Sequence, residues 1–174
     1  MYSSWLFYIF FSAFCGVVAC TLTTFWGPGA SGSGVAEIIG YVNGINYPQC
    51  ISIPTLVTKV FGVVLAIAGT LAVGKEGPLA HIGANIGAVT LYMFGDKLKF
   101  LHNDHKKRQF IAAGASAGVS VAFGAPIGGA LFFFELSQPN PFWKFSMLWK
   151  TFVSSSSAVF FMAILESLLH GKFD

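Results

Sequence analysis

Charge is what this sequence has least of. Asp, Glu, Lys and Arg make up 10% of its 174 residues, against about 25% in ordinary soluble domains. So few charges cannot cover a soluble surface at the usual density. Residues 1–36, 60–74, 77–95, 109–134 and 151–165 carry none. Cysteine is almost as scarce. Cys15, Cys20 and Cys50 form an odd set without metal-ligand spacing and say nothing of the redox compartment. Cys15 and Cys20 lie in apolar sequence and are expected to be buried fillers. No Lys or Arg precedes the first apolar run, so the charged start of a signal peptide is missing. Residues 5–26 therefore read as a retained membrane helix. No Ser/His/Asp arrangement supports an enzyme. No broad basic face supports nucleic-acid binding.

Apolar residues fill the space, at 55%, with 20 glycines and seven prolines among them. The class is integral membrane and all-α, with broken and re-entrant helices. Two of the charge-free stretches, 60–74 and 151–165, are shorter than the roughly 20 residues of a full span. Helices are expected over 5–26, 36–42, 55–72, 78–95, 109–121, 127–136 and 143–169. Gly27-Pro28-Gly29, Gly74 to Pro78 and Phe123 to Pro126 interrupt them, and Pro48, Pro139 and Pro141 mark connectors. Gly83/Gly87 and Gly114/Gly118 have the spacing of close-packed membrane helix faces. Residues 96–108 hold Asp96, Lys97, Lys99, Asp104, Lys106, Lys107 and Arg108. Five positive less two negative charges gives +3, the whole net charge, and the segment reads as a basic cytoplasmic loop.

Backbone breaks at membrane depth are tolerated inside protein or beside a watery cavity. Helix N-termini placed there offer free N–H groups and positive dipole ends, which suits an anion. Gly32-Ser33-Gly34 is one candidate, although taken alone a flexible turn with an N-cap serine explains it better. Gly74-Lys75-Glu76-Gly77-Pro78 is the second. Its Gly69-x4-Gly74-Lys75 opening resembles a phosphate loop, but Glu76 stands where Ser or Thr must hold magnesium, so nucleotide binding is rejected. A carboxylate between two apolar segments is a functional candidate by default. Glu76 is placed to occupy an anion's position and to leave it on protonation. Lys75 either neutralises the cavity or snorkels to water. Phe123 to Gly129 is a third break, a half-helix start or a tight corner, and Glu135 closes the helix after it. His81 reads as a hydrogen-bonding partner of a neighbouring helix. His102, Asp104 and His105 fit a solvated loop better than a metal site. Ser154 to Ser157 fits interhelical packing.

GKEGPLAH at 74–81, AAGASAGVSVAFGAPIGGALFFFE at 112–135 and GSGVAEIIGYVNG at 32–44, in this order and spacing, resemble the chloride channel and chloride/proton antiporter family. The details are nearest to its endosomal and lysosomal branch. The resemblance implies a partial first half of an inverted-repeat anion-transport domain over residues 1–174. It implies a homodimeric parent in an endosomal, lysosomal or vacuolar membrane, with chloride as transported ligand and no cofactor or metal. Ser33 then coordinates chloride and Glu76 gates it. Backbone groups at Ser33, Gly34, Val35, Gly77, Pro78 and Leu79 face the anion. Lys75, His81 and Glu135 are accessory candidates.

Three departures from the family pattern shape the expectation. Ala36 stands where proline is usual. Glu135-Leu136 replaces the paired glutamates of the antiporters, which removes the usual internal proton acceptor. The chain is also short, and the later G-x-F-x-P motif and pore tyrosine are missing. A fragment of a longer protein or a truncated relic is therefore expected. Passive, voltage-gated-type chloride conduction with Glu76 as gate is the leading reading. A chloride/proton antiporter and a nonconducting membrane subunit are the alternatives.

Overall fold

The glycine spacing on two helices sets the centre of the molecule. The computed structural model describes residues 2–47, 49–93, 103–137 and 145–170. Its helices are α1 (Tyr2–Phe25), α2 (Val35–Val42), α3 (Ile53–Ala68), α4 (Glu76–Met93), α5 (Asp104–Phe123), α6 (Pro126–Ser137) and α7 (Ser146–His170). A short 3-10 turn covers Pro28–Ala30. The described residues include no strand, as expected of an all-α chain.

Helices α4 and α5 form the most extensive helix pair, and glycines make that possible. A Cβ on Gly83 would lie 2.2 Å from the Gly114 carbonyl oxygen, and one on Gly114 would lie 2.2 Å from the Gly83 oxygen. A Cβ on Gly87 would lie 2.4 Å from the Phe110 carbonyl oxygen, and one on Gly118 2.2 Å from that of Leu79. Both expected small-residue faces therefore meet each other, backbone on backbone. Around the pair, Ile38, Tyr41 and Val42 of α2, Ala80, Ala84 and Ala88 of α4, Ile111, Ala112, Ala115 and Val119 of α5 and Phe133 of α6 form one buried cluster. Helix α7 packs on α5 and α6, and α1 packs on α3. The serine run does what its position suggests. Ser116 and Ser155 share a 2.8 Å hydroxyl hydrogen bond, and Ser154 donates to the Ala113 carbonyl at 3.2 Å.

Segments Ser4–Phe25 and Ser146–Leu169 are long and apolar enough to cross a membrane. Their large apolar side chains, such as Trp5, Phe10, Phe14, Phe161 and Leu165, are exposed. Exposed apolar area of this extent needs lipid or protein against it. Ile53–Ala68 and Pro126–Glu135 are apolar but shorter, the lengths of helices that end inside the layer.

Several boundaries differ from the sequence reading. Helix α3 stops at Ala68 because Gly69 caps it, its N–H bonded to the Leu65 carbonyl. Helix α4 starts at Glu76, two residues before Pro78. The largest correction concerns the expected basic loop at 96–108. Residues 104–108 belong to helix α5, while 96–102 lie outside the described residues. Asn103 caps α5 by accepting the His105 N–H at 3.3 Å, and Asp104 places a negative charge in the first turn. The cations that follow oppose the helix dipole, and aromatic rings compensate them. Lys107 Nζ lies 5.8 Å from the Tyr41 ring centroid and 5.2 Å from that of Tyr92, and donates to the Tyr92 hydroxyl at 2.7 Å. Arg108 lies 5.9 Å from the Tyr41 centroid. The connectors at Pro48, Pro139 and Pro141 also fall outside the described residues, as does His102.

Candidate functional site

Two helix starts converge on one cavity. Gly32 and Gly34 both adopt positive φ, at 68° and 79°, a conformation that costs glycine little. They fold Ser31 to Gly34 into the turn that opens α2. Ser33 is exposed, and its hydroxyl accepts the Val35 N–H at 3.4 Å. Across the turn stands the start of α4. A Cβ on Gly77 would lie 2.7 Å from the Ser33 Cβ. The two motifs, far apart in sequence, therefore touch, and only glycine at 77 leaves room. A cavity of about 580 Å³ opens beside them. Ser33, Lys59, Gly74 and Pro78 line it together with Cys20 and Thr58.

Lys59 is the residue that motif reading misses. It lies in the middle of apolar α3, yet its side chain is only 3% exposed. Its ammonium donates to the carbonyls of Ala30 at 2.8 Å and Gly32 at 2.7 Å. A buried cation thus holds the Ser33 turn from below and gives the cavity positive charge. The signal was present: one lysine inside an apolar helix is costly and marks function. Cys20 corrects another expectation. It is exposed and lines this cavity, whereas Cys15 is buried.

The remaining expected residues divide. Gly34 is buried behind Ser33, and a Cβ there would lie 2.1 Å from His81 Nδ1. His81 itself is fully buried, its Nε2 2.9 Å from the Cys50 carbonyl oxygen and 3.2 Å from Cys50 Sγ. It bridges α4 to the connector before α3, rather than to a neighbouring helix as expected. Burial pushes the Cys50 thiol up to about 11, so it stays neutral. Glu76 is half-buried at the first position of α4. Its carboxylate folds back over Gly74, where a Cβ would lie 2.5 Å from Oε2. Lys75 is exposed and does not line the cavity.

Not every position at the start of α4 has a donor to give. Pro78 has no N–H, and the Leu79 N–H is already bonded to the Lys75 carbonyl at 3.0 Å. The free donors there are those of Glu76 and Gly77. Leu79 faces α5 instead, where its carbonyl meets Gly118. Glu135, near the end of α6, is exposed and outside the cavity. Asp104 and His105 stand in the first turn of α5, and no group of three metal-ligating side chains occurs among the described residues.

The segment before Glu76 carries its own restraint. Thr70 has φ 53°, a genuine outlier for a β-branched residue. The Tyr8 hydroxyl hydrogen-bonds the Thr70 hydroxyl, and Ser12 donates to the Gly69 carbonyl at 2.6 Å. Helix α1 thereby tethers the loop that ends in Glu76.

Chemically, the cavity offers a hydroxyl, first-turn amides and a buried cation, with a carboxylate beside it. That set is suited to a small anion.

Known proteins resemble this chain in sequence. The human "H(+)/Cl(-) exchange transporter 7" is 39% identical over 163 residues, covering 90% of this chain and 20% of that protein. "Chloride channel protein A" of Dictyostelium discoideum is 44% identical over 138 residues, covering 75% of the chain and 16% of that protein. "Chloride channel protein CLC-c" of Arabidopsis thaliana is 37% identical over 177 residues, covering 93% and 22%. The chain spans about a fifth of the length of the curated relatives it matches. The family model described as voltage gated chloride channel matches residues 3–172. With that match over nearly every residue, and the lipid-suited faces of α1 and α7, the chain is a membrane protein that belongs to the voltage-gated chloride channel family.

Proposed function

We propose that this chain builds one wall of the anion route in a chloride/proton exchanger. Chloride rests against Ser33 and the first-turn amides of α2, with Lys59 supplying charge from below. Glu76 gates the route by moving its carboxylate between the anion position and the loop at Gly74. The contact of Ser33 with Gly77 beside a cavity floored by a buried lysine carries this reading. The name "H(+)/Cl(-) exchange transporter 7" of a 39% identical relative favours exchange over passive conduction. The assembled protein works as a homodimer in an endosomal, lysosomal or vacuolar membrane, and needs no cofactor.

Passive chloride conduction is the second reading, favoured by Leu136, which cannot hold a proton where antiporters of this family carry glutamate. Liposomes containing the assembled transporter separate the two. Proton uptake driven by an outward chloride flux supports exchange, and chloride flux without proton movement supports conduction. Glu76→Ala is expected to abolish proton coupling while chloride still moves. Coupled exchange that survives this substitution removes Glu76 from the gate.

A further inference from the structure

We propose that the groove between α4, α5 and α7 holds one anionic phospholipid, with its headgroup phosphate at Lys106 and Lys150. The groove measures about 1010 Å³ and shares no lining residue with the cavity at Ser33. Ile82, Ile86, Val121 and Val153 supply apolar walls. The glycines of the α4–α5 contact also line it, and having no side chains they leave it open.

Charged groups gather at one end. Lys106 and Gln109 stand one turn apart near the start of α5, and Lys150 stands near the start of α7. Lys150 Nζ donates to Gln109 Oε1 at 3.4 Å, which brings the two helix starts together there. An ammonium carries three donors, so Lys150 keeps others for a phosphate oxygen. Among the described residues lining the groove there is no carboxylate. Lys107 and Arg108 are turned to the rings of Tyr41 and Tyr92 instead. The four cations therefore divide, two against rings and two on the groove.

The membrane decides what such a groove takes. Helix α7 is long and apolar enough to cross it, so Lys150 near its start lies at headgroup level, where the exposed Trp149 also fits. From Gln109 to Val121, α5 runs about 18 Å at 1.5 Å per residue. One leaflet of hydrocarbon is close to that, about 15 Å. A free phosphate meets the two lysines but leaves the apolar length empty. A neutral phospholipid fills the length but brings no net charge to the lysines. An anionic phospholipid does both, and basic pockets between membrane helices suit such headgroups.

The test uses the assembled transporter in neutral detergent, with bound lipid read by native mass spectrometry. Phosphatidylserine is expected to be retained in preference to phosphatidylcholine of the same chain length. Soluble glycerophosphoserine, the headgroup without chains, is expected not to compete. Lys106→Gln together with Lys150→Gln is expected to weaken phosphatidylserine binding about tenfold or more and to leave phosphatidylcholine alone. Ile86→Trp keeps both lysines but fills the groove, and is expected to displace the phosphatidylserine. Equal retention of the two lipids overturns the inference. So does a preference for phosphatidylserine that survives the double lysine substitution. Competition by glycerophosphoserine makes this a phosphate site and overturns the lipid. Phosphatidylserine binding unchanged in Ile86→Trp puts the lipid elsewhere, leaves the groove to another segment of the parent protein, and overturns it too.

Discussion

The start of α2 and the start of α4 are both helix N-termini on one cavity, yet they are built differently. The α2 end is fixed from two sides. Gly34 sits at φ 79° against the His81 ring, and Lys59 clasps the carbonyls of Ala30 and Gly32. The α4 end follows an exposed loop, residues 70–75, held mainly by Tyr8 and Ser12 of α1. A binding end needs donors that do not reorganise when the anion arrives. A gating end needs a side chain whose displacement breaks little. Few buried contacts and exposed backbone mark the second kind.

The contrast breaks first at Gly34. Gly34→Ala forces a side chain into left-handed backbone and onto His81. Roughly 1–2 kcal/mol of conformational strain adds to about 1–3 kcal/mol of overpacking. Thermal unfolding in detergent is expected to show the largest loss among these variants, with chloride binding lost alongside. A wild-type melting temperature for Gly34→Ala contradicts the fixed-end description.

Lys59→Met comes next. It leaves two carbonyls without their donor, at a cost of about 2–3 kcal/mol, and removes the cavity's buried positive charge. Chloride affinity measured by calorimetry is expected to drop more than tenfold, beyond what the stability loss explains. Unchanged affinity would make Lys59 a strut only.

Tyr8→Phe deletes one exposed hydrogen bond to Thr70, worth about 0.5–1 kcal/mol. It is expected to leave chloride affinity alone and to speed the response of transport to a pH step. Glu76→Ala has the smallest expected effect on unfolding, within about 0.5 kcal/mol, and the largest on coupling. If its unfolding shifts as far as that of Gly34→Ala, the two ends do not differ in kind.

Some of this was legible residue by residue. The four glycines at 83, 87, 114 and 118 announced a close helix pair because their spacing leaves no other common face. The prolines and glycines at 27–29, 74–78 and 123–126 announced the breaks. The start of α5 was misjudged because five cations in a short stretch look like a solvated loop. Asn103 and Asp104 carry the opposite signal, and Tyr41 and Tyr92, distant in sequence, supply the compensation. Lys59 escaped because it matches no motif. Ser33 and Glu76 stood out as anion-site candidates from their residue types, and resemblance to a family sharpened their roles, since a turn serine and a lone glutamate each have ordinary explanations.

Composition and residue order set the solvent and the backbone. Too few charges put the chain in lipid, and glycine and proline placement cut it into short helices. Tertiary structure decided what those helices do for each other. It set Gly77 against Ser33, Lys59 beneath both and His81 behind Gly34. Each of these is a contact between distant elements, and periodicity along one helix carries no information about which neighbour its buried polar group will meet.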